Sequence, residues 1–188
     1  MNRKLKKTIV VVSIVLFCVS LVSLLLLFSG KVSLSVFGFA VDNANRIYVG
    51  TEKEISIIER GEKIGSISPN TSRTYAFTIT EDETILLSTS TKVYTMDMDG
   101  NILSTAEDTG ADIYNQLSRQ KKKFISAKGD QYRLINMLGW TRILKNDIDV
   151  VYQIDVLSYI VKLLLGSVII SLLLVGTYVI RITLKDPQ

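Results

Sequence analysis

Histidine is absent from the 188 residues. That removes the usual general base, the commonest metal ligand and every Ser-His-Asp or Cys-His arrangement, so hydrolysis by those routes is excluded. Cysteine occurs once, at Cys18, so no intramolecular disulfide can form and any domain must be held by its own core or by partners. Val15-Leu16-Phe17 lacks the small side chains of a lipidation signal, and the thiol reads as lipid-facing and inert. No catalytic constellation is recognisable, an EF-hand reading of Asp97-x-Asp99 fails because Ile102 stands where that loop needs glycine, and no cofactor is expected.

Charge is missing from two long stretches. Thr8 to Phe28 has no charged residue in 21 positions, enough at 1.5 Å per residue to cross a hydrocarbon core of about 30 Å. Leu163 to Ile180 is a second uncharged run, of 18 residues, and it extends back to Val156 if Lys162 lifts its ammonium to the interface. Arg3, Lys4, Lys6 and Lys7 precede the first run, and Arg181 and Lys185 follow the second. The positive-inside rule then puts both termini in the cytoplasm and the middle outside. The segment 31–155 carries a net charge of −2 and the rest +6, which together make the +4 of the chain. The basic excess is therefore a topology signal, and nucleic-acid binding loses its support. An uncleaved anchor fits the N-terminus better than a signal peptide, because the apolar run is too long and Phe28-Ser29-Gly30 has Phe where cleavage wants a small residue.

What fills the middle is alternation. Arg46-Ile47-Tyr48-Val49, Glu54 to Ile58, Ile85-Leu86-Leu87 and Lys92 to Met96 read as short strands. Turn residues separate them at Asp42 to Asn45, Glu59 to Glu62, Glu81 to Glu83 and Asp97 to Asn101. Sliding the segment by 38 residues aligns Phe39 with Phe77, Ile47 with Ile85 and Ile55 with Val93, so the chain repeats. A further shift of 47 gives a fainter third copy, with Phe77 on Phe124, Ile85 on Tyr132 and Val93 on Trp140. The extra residues of that copy suggest a short helix near 110–123 ending in the basic run Lys121-Lys122-Lys123.

The stretches FAVDNANRIYVG (39–50) and VYTMDMDGNIL (93–103) resemble the blade motif of NHL-type and related β-propeller repeats. The resemblance covers about residues 36 to 155, with two clear copies and one faint one. It implies four-stranded blades, and it implies no particular ligand, since propellers serve as binding platforms, scaffolds and occasionally enzymes. Closed propellers use four to eight blades and this segment supplies three at most. The sheets are therefore closed by the helix or completed by another chain.

The expected architecture is a mainly β extracytoplasmic domain of partial propeller-like antiparallel blades, flanked by two transmembrane α-helices. Its parts are a tail 1–7, spans at 8–28 and 156–180, the β-repeat domain 31–155 and a tail 181–188. The acidic groups Asp97, Asp99 and Glu81 to Glu83 lie in turns, where solvated carboxylates are ordinary. Trp140 is expected in the core. Lys121, Lys122 and Lys123 are the candidate partner contacts, and Gly166, Ser167 and Gly176 are candidate helix-packing positions, since small residues let helices approach. The expected role is a non-enzymatic binding or scaffold subunit in the cell membrane. Its partners would be membrane lipid and another membrane or envelope protein. The alternatives are self-association into a shared ring and a carboxylate-based envelope hydrolase.

Overall fold

The computed structural model describes residues 3–29, 31–71, 74–107, 110–120, 122–126 and 129–185. They fall into two compact units, the central segment Ser33–Asp155 and a unit formed by the chain on either side of it.

The unit formed by the two flanking segments is a pair of helices, α1 (Arg3–Phe28) and α3 (Val156–Lys185), packed on each other. Serine hydroxyls in both helices bond to carbonyls of their own helix. Ser20 Oγ donates to the Leu16 carbonyl at 2.8 Å and Ser171 Oγ to that of Ser167 at 2.8 Å, which removes the cost of a polar group in an apolar helix. Among the described residues one helix, at Val156–Leu173, is long and apolar enough to cross a membrane. The apolar stretch found in α1, Ile14–Phe28, is shorter than that length.

The central unit is mainly β. Three four-stranded antiparallel sheets follow one another along the chain, each with its strands in sequence order. Blade 1 comprises β1 (Val36–Val41), β2 (Ile47–Thr51), β3 (Ile55–Glu59) and β4 (Glu62–Ile67). Blade 2 comprises β5 (Ala76–Ile79), β6 (Ile85–Ser88), β7 (Lys92–Met96) and β8 (Ile102–Glu107). The helix α2 (Gly110–Gln120) follows, and then blade 3: β9 (Lys123–Ile125), β10 (Gln131–Met137), β11 (Trp140–Lys145) and β12 (Asp149–Gln153).

Turn chemistry sets these hairpins. Arg60 and Gly61 take φ of 52° and 85° between β3 and β4, and Gly100 takes 90° between β7 and β8; tight turns need this left-handed backbone, which glycine adopts without a steric cost. The first hairpin of every blade closes over five residues, and one side chain caps it each time. Asp42 Oδ1 accepts from Arg46 N–H at 2.8 Å, Thr80 Oγ1 from Thr84 N–H at 3.2 Å and Ser126 Oγ from Asp130 N–H at 3.1 Å.

That recurring cap fixes how the copies correspond. Val41 pairs with Ile47, Ile79 with Ile85, and Ile125 with Gln131. The step from blade 1 to blade 2 is thus 38 residues, as the sequence indicates, but the step from blade 2 to blade 3 is 46 rather than 47. One residue matters, because side chains alternate between faces and a slip of one exchanges them.

The stacking follows from the faces. One core joins blade 1, through Ala40, Tyr48, Ile55 and Ile67, to blade 2, through Phe77, Ile85, Leu87 and Met96. A second joins the opposite face of blade 1, through Phe39, Val41, Ile47 and Val49, to Tyr132 and Ile143 of blade 3. Blade 1 is therefore the middle layer. On the far side of blade 2 lies α2, against β5, β6 and β7, with Leu117 buried. Asp112 in its first turn and Arg119 in its last complement the helix dipole. The helix ends at Gln120, and Lys123 pairs with Arg133 as the first residue of β9. The expected helix running to 123 is shortened accordingly.

Candidate partner-binding face

The layer order, blade 3 on blade 1 on blade 2 on α2, leaves the outer face of blade 3. Side-chain alternation places Lys123, Ile125, Gln131, Arg133, Ile135 and Met137 on it, opposite the face that carries Tyr132 and Leu134 into the core. Ile125 is 68% exposed and Met137 70%. In the other blades the corresponding positions of the first two strands are Phe39, Val41, Ile47 and Val49, and Phe77, Ile79, Ile85 and Leu87, which form the cores between sheets. Blade 3 has Lys123, Ile125, Gln131 and Arg133 there. The chain has replaced a packing face by a basic, mixed one.

Three cations mark it. Lys123 sits directly across from Arg133, and Arg142 sits across from Ile135. Arg133 Nη2 reaches Asp147 Oδ1 at 2.9 Å, with both groups open to solvent, an arrangement worth little to stability. The Arg142 guanidinium lies 5.6 Å from the centre of the Trp140 ring, within cation–π range. Trp140 is only half-buried, contrary to the core position expected of it, because it faces Met137 on the outer side of the sheet.

Of the three lysines singled out by the sequence, Lys123 is on this face and Lys122 is an exposed turn residue at its margin. Lys121 lies outside the described residues. Arg133 and Arg142 were missed; alternation measured from the Ser126 cap, rather than from Phe124, would have found them.

The carboxylates serve turns. Asp97 Oδ1 accepts from the backbone N–H of Asp99 at 3.0 Å and of Asn101 at 2.8 Å, and Oδ2 accepts from Asn101 Nδ2 at 2.8 Å. The Asn101 amide, with these backbone donors, holds Asp97 below the usual carboxylate range. Glu81, Asp82 and Glu83 form the exposed tip of the first hairpin of blade 2. Glu83 Oε1 accepts from Asn43 Nδ2 at 3.4 Å. Among the described residues no three groups of the metal-ligating types come together.

The one buried carboxylate among the described residues is also committed. Asp42 Oδ2 accepts from Arg46 Nε at 2.6 Å and from the Tyr48 hydroxyl at 3.3 Å. The hydrogen bond to Asp42 holds the Arg46 guanidinium above its usual value. Burial, with the Asp42 charge beside it, pushes the Tyr48 phenol up to about 12. In α3, Ser167 Oγ donates to the Leu164 carbonyl at 2.8 Å. Gly166 and Gly176 have open space where a Cβ would stand, so neither is packed against α1.

No protein-family model matches the chain, and no curated protein does. Several solved structures are similar to it in part, two of them as follows. One is a protein of unknown function from Bacteroides caccae, 16% identical, with 64% of this chain and 46% of that one covered and a TM-score of 0.33. The other is a streptogramin B lyase, 12% identical, with 66% and 41% covered and a TM-score of 0.36. The chain spans less than half the length of either.

Proposed function

We propose that the chain is a two-span membrane protein, both termini cytoplasmic, that holds its stack of sheets outside the cytoplasmic membrane as a non-enzymatic binding or scaffold subunit. The observation that carries this reading is the uncovered basic face of blade 3. A face meant to be closed by a further blade would be apolar, as in blades 1 and 2; Lys123, Gln131 and Arg133 suit an anionic protein or envelope surface instead. Basic residues at the start of α1 and at the end of α3 support the orientation.

A ring shared between two copies fits less well. It would take the Lys123 ammonium and the solvent-open Arg133–Asp147 pair out of water, and desolvation costs several kcal/mol per ion by an order-of-magnitude estimate. A carboxylate hydrolase fits less well too, since Asp97 is tied into its own hairpin. The open surfaces at Gly166 and Gly176 suit lateral contact with a partner's helix.

Affinity purification from detergent extracts tests the reading. The natural chain retains a defined partner, and a Lys123→Glu, Arg133→Glu variant expressed to the same level loses it. Recovery of the natural chain as a lone monomer contradicts the proposal.

A further inference from the structure

We propose that the β10–β11 hairpin tip, Met137-Leu138-Gly139-Trp140, is a lipid-contact element seated in the headgroup interface of the bilayer that α3 enters; this rests on the membrane placement proposed above. Two apolar side chains at the tip are open to solvent. Met137 is 70% exposed and Leu138 88%. Leu138 also has a left-handed backbone, with φ of 51°, followed by Gly139 at 84°. Such a two-residue turn favours Asn, Asp or Gly at both positions, and a leucine held there is strained. Turn preference and hydration both argue against leucine, and transfer of the side chain into lipid offsets both.

The corresponding tips of the other blades are polar: Glu52 and Lys53 between β2 and β3, and Thr89-Ser90-Thr91 between β6 and β7. The exception falls in the blade that leads into the apolar helix. Gln153, the last residue of β12, pairs with Arg142, and the Ile154 N–H donates to the Thr141 carbonyl at 2.9 Å. Trp140 is the next residue toward the tip, and α3 begins at Val156. The hairpin therefore turns at the end of the sheet from which the chain continues into α3.

Its chemistry is graded as an interface requires. Met137 and Trp140 face one another at the tip, Ile135 and Arg142 form the next pair on that face, and Arg133 lies beyond, across from Lys123. Tryptophan favours the headgroup level, and arginine and lysine favour anionic phosphate just above it.

Trp140 is the only tryptophan, so its emission reports on this site alone. The full-length protein is reconstituted into phosphatidylcholine and phosphatidylglycerol vesicles, with or without acyl-chain bromine, and followed by flotation and fluorescence. The protein floats with the vesicles, brominated lipid removes most of the emission and aqueous acrylamide removes little. A Met137→Ser, Leu138→Asn variant floats equally through α3, loses the quenching by brominated lipid and shifts its emission to the red. Flotation with emission open to acrylamide and indifferent to bromine overturns the proposal and leaves the membrane reading standing. Unchanged bromine quenching in the variant overturns the role of the tip. Failure of the natural chain to float overturns both readings.

Discussion

At the scale of single residues the stack is held by close approach and by buried phenols. A Cβ on Gly50 would stand 2.6 Å from Phe77 Cε1 and 3.1 Å from the Tyr75 hydroxyl, and that hydroxyl donates to the Thr51 carbonyl at 2.8 Å. Gly50→Ala should therefore cost about 1–3 kcal/mol by overpacking. Gly65→Ala, whose Cβ would meet only Ile57 Cδ1 at 3.6 Å, should be near neutral. Denaturant midpoints of the two detergent-solubilised variants check the contrast.

The same phenols set the alkaline limit. Burial pushes Tyr48 and Tyr152 up to about 12 and raises Tyr75 further. A raised phenol favours the folded, protonated form. Its stabilisation is complete below the ordinary value near 10 and is lost as pH rises through the folded value. With no histidine to titrate, unfolding free energy should be flat from about pH 6 to about pH 9, then fall toward pH 12. A step near pH 6.5 in a chemical-denaturation series would contradict this.

At the scale of elements, most of the first two blades was legible in the sequence. Ile47 and Val49, Ile55 and Ile57, and Ile85 and Leu87 keep the two-residue period of strands, and Arg60-Gly61 and Asp99-Gly100 mark hairpins that the structure forms. The third blade was misread by one residue. Phe124 resembles Phe77 in type but pairs with Tyr132 on the opposite face, and an aromatic match outweighed the hydroxyl cap at Ser126. Composition could not show the difference, because blade 3 packs the reverse face of its sheet on blade 1. The role of α2 was legible only as a length of insertion; its cover over blade 2 depends on tertiary packing. Leu117→Ala should weaken that cover by about 2–4 kcal/mol. Amide exchange should then quicken in β5 to β7 before β1 to β3, and uniform acceleration across both blades would argue against this local role.

At the scale of the whole molecule, the sheets are three layers with a helix on one end and a basic face on the other, joined to a pair of apolar helices. Charge segregation along the chain suggested the topology. The open face was not legible, since it depends on which side of blade 3 turns inward. Display of this stack outside the membrane makes its hairpin tips accessible to reagents that cannot cross the bilayer, and cysteine labelling reads that out. In a Cys18→Ser background, Asp82→Cys, at the exposed hairpin tip of blade 2, and Lys4→Cys, in the first turn of α1, are treated in intact cells with a membrane-impermeant maleimide. Asp82→Cys should label in intact cells and Lys4→Cys only after permeabilisation; the reverse pattern would place the stack inside the cell.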